Sequence, residues 1–142
     1  VILLSKISNK KPVKVQATKR IPTWSVRPGL EVGCKVTLRG NDAVDMLKKL
    51  LPALDNTLKE KQIQDNFFSF GIHEYIEIPG VEYIREVGIM GFEITAVFAR
   101  PGKHVEVRKV KRGKRPKRLK VTKEEIIAYL ETKFNTTIVR KK

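Results

Sequence analysis

Apolar and polar residues alternate along "PVKVQATKR", with Val13, Val15 and Ala17 on one side and Lys14, Gln16 and Thr18 on the other, the period of a half-buried strand. "EVGCKVTLRG" repeats the pattern: Val32, Cys34, Val36 and Leu38 face one way, Lys35, Thr37 and Arg39 the other. The pattern predicts two strands holding residues 20 to 29 as a long hairpin loop. Asn41 or Asp42 can cap a helix whose Val44, Leu47, Leu51, Leu54 and Leu58 step by three and four residues down to about Lys61, with Pro52 kinking or restarting it. "NFFSFGIHEYIEI" reads as one or two strands ended by Pro79-Gly80, and "FEITAVFA" as another, with Phe92, Ile94, Ala96 and Phe98 on one face. "HVEVRKV" is expected to extend as a strand into a basic tract. Beyond it, Thr122 and Glu125 form a capping box ahead of Ile126, Ile127, Leu130 and Phe134, the apolar side of a short helix. The opening "VILLSKI" has the look of the end of an amphipathic helix, and with no initial Met it carries the expectation that upstream residues are missing.

The expected fold is α+β: a mostly antiparallel sheet with a long hairpin loop, helices packed on one face, and a basic C-terminal extension ending in a short helix. Residues 1–142 are expected to form a single, N-terminally incomplete domain, with 101–121 as the basic extension and 122–142 as the C-terminal helix and tail.

Charge changes the picture from fold to partner. Thirty Lys and Arg against fifteen Asp and Glu leave a net charge of +15, while 41% hydrophobic residues argue for a packed core and against disorder. Such an excess points to a polyanion, nucleic acid before membrane surface. It is also unevenly placed: residues 1 to 40 carry +8, residues 41 to 99 carry −5 and residues 100 to 142 carry +12. No apolar run approaches eighteen residues and no secretory signal is present, so the expectation is a cytosolic chain with no membrane partner. A lone Cys34 cannot form an internal disulfide, and Asn135-Thr136-Thr137 is read as a chance sequon.

Three groups carry candidate chemistry. Lys14, Gln16, Lys35, Thr37 and Arg39 would stand on one sheet surface, offering cations and hydroxyl or amide donors to phosphates and sugars; the alternative is a polar face turned to water. In the tract at 108 to 120, nine of thirteen side chains are Lys or Arg, giving sequence-independent, salt-sensitive affinity for phosphates, against the plain reading of a solvated basic segment. Trp24, the only tryptophan, sits between Arg20 and Arg27 in "RIPTWSVRPG" and offers either a stacking surface for a base or ribose or a core anchor folded back on the sheet. Catalytic readings find less. His73 and His104 stand alone, Cys34 lies on an apolar face, and Gly88 and Gly91 in "EVGIMGF" match no phosphate-binding loop. No cofactor or metal is expected, and no enzyme.

"KKPVKVQATKRIPTWSVRPGLEVGCKVTLRG", "NFFSFGIHEYIEIPG" and "VGIMGFEITAVFARPG" together resemble the universal large-subunit ribosomal protein that binds 5S rRNA, family five in the large-subunit series. The "ARPG" block followed by a basic tract and a "VTKEE" helix is similar to the archaeal and eukaryotic forms. The resemblance implies a non-catalytic protein of the central protuberance that joins 5S rRNA to the large-subunit rRNA, touches other central-protuberance proteins, and reaches P-site tRNA and a small-subunit head protein. It places the ribosome as the location. It implies contacts with 5S rRNA from Thr37 and Arg39; with the hairpin face read above this makes Lys10, Lys11, Lys14, Gln16 and Lys35 rRNA-binding candidates too, and the charge of the basic tract adds Arg108, Lys109, Lys111, Arg112, Lys114, Arg115, Lys117 and Arg118. It also implies tRNA contacts from the loop residues Arg20, Ile21, Pro22, Thr23, Trp24, Ser25, Val26 and Arg27. Two positions depart from the family pattern: Lys10 stands where Gln is usual in a "GQKPV" turn, and Trp24 where Phe is more common. A single-strand RNA-binding module acting outside the ribosome is the alternative reading of the same charge, and an RNA-processing enzyme lacks a convergent acid/base cluster.

Overall fold

The computed structural model describes residues 1–114 and 116–139. Its class is α+β, with the strands divided among three small sheets in place of one. Tertiary contacts gather the chain into two compact units: Val1–Leu47 with Gly80–Gly88, and Lys48–Pro79 with the chain from Ile89 onward.

In the first unit, helix α1 (Ile2–Ser8) buries Leu3 and stops at Asn9, whose φ of 51° is the left-handed conformation that ends many helices. Strands β1 (Val13–Gln16) and β2 (Glu31–Lys35) pair antiparallel, with an irregularity between Val15 and Gln16. Helix α2 (Asn41–Leu50) takes the expected capping residues Asn41 and Asp42 into its first turn, directly after Gly40 at a φ of 63°. It is ten residues long. The helix expected to run to Lys61 gives way at Leu51–Leu54, a 3-10 turn with Pro52 in its first positions, followed by Asp55 and Asn56 at φ of 51° and 53°. Pro52 cannot donate to the ladder of a continuing helix. Leu58, counted on the helical stripe, is instead buried in a strand, β3 (Thr57–Lys59).

The second unit holds the larger core. Strands β4 (Ile63–Gln64), β5 (Phe67–Ile72) and β6 (Phe92–Val97) form an antiparallel sheet in that order, while β3 pairs in parallel with β7 (Thr137–Val139). The period-two reading of "FEITAV" holds residue by residue, whereas the strand structure expected over "NFFSFGIHEYIEI" stops at Ile72, well short of Pro79-Gly80. Phe68 lies opposite Ala96, Phe70 opposite Ile94 and Ile72 opposite Phe92, so these side chains share the core face. Gly91 leads into β6 where the backbone closes on the end of β5: a Cβ there would stand 2.7 Å from the carbonyl oxygens of both Ile72 and His73. The glycine of "EVGIMGF" therefore serves packing, and only glycine fits. After β5, Tyr75 is buried in a 3-10 turn, Tyr75–Glu77, and its N–H donates to the Met90 carbonyl at 3.3 Å.

Helix α4 (Lys123–Phe134) begins at the expected capping box: Thr122 Oγ1 accepts from the Glu125 N–H at 3.4 Å, and the Glu125 carboxylate accepts from the Thr122 N–H at 3.4 Å. Arg100 donates to the same carboxylate at 2.6 Å, and that hydrogen bond holds the Glu125 carboxyl below the ordinary carboxylate range. Ile126, Leu130 and Phe134 are buried, as their spacing predicts. Rings extend the packing, with Phe98 5.9 Å from Phe68 in a stacked pair and 5.6 Å from Tyr129 edge to face. Asn135 ends α4 in the left-handed conformation; Thr136, the middle residue of the sequon, is buried, while Thr137, its hydroxyl residue, is exposed.

Candidate nucleic-acid interface

The hairpin removes the core-anchor reading of Trp24. Ile21 and Val26 exchange backbone hydrogen bonds at 3.0 and 3.1 Å, closing the loop, and Pro22–Trp24 forms one 3-10 turn across its tip. Ser25 takes a left-handed φ of 54° to complete the reversal. Pro22 supplies the fixed φ such a turn starts from. Trp24 stands at the tip 75% exposed, with Arg20 and Arg27 exposed at the loop's base. It anchors no core.

The polar surface of the hairpin is arranged differently from the alternation argument. Exposure follows the expected sequence pattern at residues 34 to 39, with Cys34, Val36 and Leu38 half-buried and Lys35, Thr37 and Arg39 exposed. Pairing overturns the single cationic face, because residues directly opposite each other in an antiparallel pair project to the same side. Lys14 lies opposite Cys34, whereas Lys35 lies opposite Val13. Lys14 and Lys35 thus belong to opposite faces, and β2 itself ends at Lys35, before Thr37 and Arg39. One residue of register is enough to do this, and alternation within each strand cannot specify it.

What the sheet face does not gather, the connections do. The turn from α1 into β1 and the segment from β2 to α2 border a shallow cleft of about 380 Å³, lined by Lys10, Lys11, Lys35, Thr37 and Arg39 together with Asp42. A second hollow, about 950 Å³, adjoins it through Lys10, Lys11 and Val13 and adds Lys14 and Lys6. Gln16 lines neither. Lys6 was not among the sequence candidates; it lies three residues before Asn9, one helical turn, and both line this hollow. Two cations carry internal partners: Lys10 Nζ is 2.9 Å from Asp42 Oδ2, and Lys14 Nζ is 2.7 Å from Glu31 Oε2.

The basic tract lies in the second unit. "HVEV" is one helical turn, α3 (His104–Val107), and not the predicted strand. With no strand among the described residues paired to it, the segment satisfies its backbone groups locally, the Arg108 N–H donating to the His104 carbonyl at 2.9 Å. The tract is then tied back at several points. The Gly113 N–H donates to the Val105 carbonyl at 3.1 Å, a 3-10 turn forms at Lys117–Leu119, and Asn66 grips Val121 through its side-chain oxygen at 3.0 Å and its own N–H at 2.9 Å. Asn66, in the β4–β5 turn, is a clamp that the sequence reading missed. Lys109, Lys111, Arg112, Lys114, Lys117 and Arg118 are exposed along this path, and Arg108 is half-buried. Arg115 lies outside the described residues. Among the described residues, no group of three or more His, Cys, Asp or Glu side chains could hold a metal ion, and no helix is long and apolar enough to cross a membrane.

Comparison with known proteins agrees with these features. The family model for the C-terminus of the ribosomal L5 family matches residues 31–129. The large ribosomal subunit protein uL5 of Nanoarchaeum equitans is 45% identical over 138 residues, 96% of this chain and 82% of that protein. The uL5 of Sulfolobus acidocaldarius is 41% identical over 139 residues, covering 96% and 78% of the two chains, and that of Methanosphaera stadtmanae 36% identical over 137 residues, covering 96% and 82%. β1 and the Trp24 loop precede the matched family region but fall inside the stretch shared with the relatives, which takes in nearly the whole chain. By both measures the chain belongs to the ribosomal uL5 family, structural proteins of the large ribosomal subunit and not a class of enzymes.

Proposed function

We propose that this protein binds 5S rRNA through the cleft of Lys10, Lys11, Lys35, Thr37 and Arg39, with Lys14 and Gln16 contributing from β1. The observation that carries the reading is convergence: four cations and a hydroxyl from two separate segments of the chain border one shallow depression. Cations meet phosphates there, and the Thr37 hydroxyl suits a ribose or phosphate oxygen, the pattern of shape-led RNA recognition. The loop from Arg20 to Arg27 then presents the exposed Trp24 ring to P-site tRNA, with Ile21, Pro22, Thr23, Ser25 and Val26 shaping the tip. The tract from Arg108 to Arg118, Arg115 included, grips large-subunit rRNA without sequence preference. In this reading residues 1–142 act as one domain with 101–121 as its RNA-binding extension, and the protein also meets a small-subunit head protein and other proteins of the central protuberance.

The cleft is tested by Thr37→Ala combined with Arg39→Ala. At about 1 kcal/mol for a neutral hydrogen bond and more for a charge-assisted one, the double substitution should weaken 5S rRNA binding by about 2 to 5 kcal/mol. Neither side chain is buried, so folding should be unaffected. Equal affinity of wild type and double variant for 5S rRNA at moderate salt rules the cleft out.

A further inference from the structure

The cleft is not uniformly positive. Asp42 lines it beside Lys11, Lys35 and Arg39, and its Oδ2 stands 2.9 Å from Lys10 Nζ. On the hairpin, Glu31 Oε2 stands 2.7 Å from Lys14 Nζ. A carboxylate oxygen at that distance occupies the place a phosphate oxygen would take. Both pairs are solvent-exposed, so each is weak and readily exchanged for another anion. Neither carboxylate is where it is merely because a lysine attracts it. Asp42 is placed by the first turn of α2, where the helix N-terminus favours negative charge, and Glu31 by its register opposite Gln16.

We propose that Asp42 and Glu31 set the selectivity of this surface by competing with phosphate for Lys10 and Lys14. The inference rests on the RNA-binding reading given above. An RNA of the wrong shape, drawn in by the net charge of +15, presents phosphates to the carboxylates without also reaching Lys11, Lys35 and Arg39, and meets uncompensated repulsion. The matched RNA displaces Asp42 at the cleft and Glu31 on the hairpin once each and offsets that cost through Lys11, Lys35 and Arg39. The two acids therefore depress mismatched binding more than matched binding.

Asp42→Asn and Glu31→Gln, singly and together, test this, because each keeps shape and a carbonyl oxygen while removing the charge. Affinity of the full chain for 5S rRNA and for a non-cognate duplex RNA of equal length is measured across a salt series. Each substitution should raise non-cognate affinity about two- to fivefold, the range an exposed ion pair supplies, and raise 5S rRNA affinity less. The non-cognate salt slope should steepen by up to about 0.7 to 0.9 for each lysine released. Glu93→Gln on β6 makes the same change of net charge at a carboxylate that lines neither hollow and is not the partner of Lys10 or Lys14, and should leave the 5S to non-cognate ratio intact. Equal gains on both RNAs, or a Glu93→Gln variant that loses selectivity as much, overturns the proposal. Should Asp42→Asn lower the melting temperature, Glu31→Gln, outside any helix, decides alone. Failure of the underlying reading shows separately, as a wild-type protein with no preference for 5S rRNA.

Discussion

Trp24→Ala separates a structural from a contact role for the loop tip. A tryptophan offers up to about 250 Å² of surface, and at 75% exposure only about 60 Å² of it lies against the rest of the protein. At about 25 cal/mol per Å² the most that truncation can cost is about 1.5 kcal/mol, whereas removing a buried tryptophan costs about 3 to 5 kcal/mol. The hydrogen bonds that close the turn are backbone bonds between Ile21 and Val26 and between Pro22 and Ser25, which alanine leaves in place. For a chain of this size, about 3 to 4 °C of melting temperature accompanies each kcal/mol, so the variant should melt no more than about 5 °C below wild type. Its 5S rRNA affinity should match wild type, since the loop tip is separate from the cleft lining. Ribosomes assembled with it should hold P-site tRNA more weakly by about 1 to 3 kcal/mol if the ring stacks on RNA. A fall of about 10 °C or more, well beyond that ceiling, would refute the exposed-tip argument. Undiminished tRNA retention would refute the contact.

Neutralising Lys111, Arg112 and Lys114, three exposed cations of the tract, should flatten the salt dependence of rRNA binding by about 0.7 to 0.9 in slope for each phosphate left without its cation; an unchanged slope measured by filter binding would show that they face solvent. Gly91→Ala should destabilise the second unit by about 1 to 3 kcal/mol in chemical denaturation, because the new methyl group meets two backbone carbonyl oxygens at 2.7 Å and neither can rotate away. A Gly91→Ala protein as stable as wild type would mean that β6 shifts freely against β5.

Local rules made much of the molecule legible. The Thr122–Glu125 box, the Ile126, Leu130 and Phe134 spacing and the alternation of β6 each depend on residues close in the chain, and each has the expected structure. The misreadings occur where distant parts decide. Leu58 fits a helical stripe by spacing, yet the backbone from Thr57 to Lys59 pairs with Thr137 to Val139, far along the chain, and that ladder outweighs local period. "HVEV" alternates like a strand but finds no strand to pair with among the described residues, and it turns into α3.

The candidate interface divides in the same way. Charge, its concentration at the two ends and the stiff Pro-flanked loop around Trp24 are properties of the sequence alone, since composition and φ restriction need no partner. The exposure of Trp24, the separation of Lys14 from Lys35 and the meeting of Lys10, Lys11, Lys35, Thr37 and Arg39 in one cleft were decided only in three dimensions. Alternation says which residues share a side of one strand. It takes cross-strand register, set by the hairpin as a whole, to say which sides of two strands coincide, and it takes chain reversals on either side of the hairpin to bring unpaired segments together.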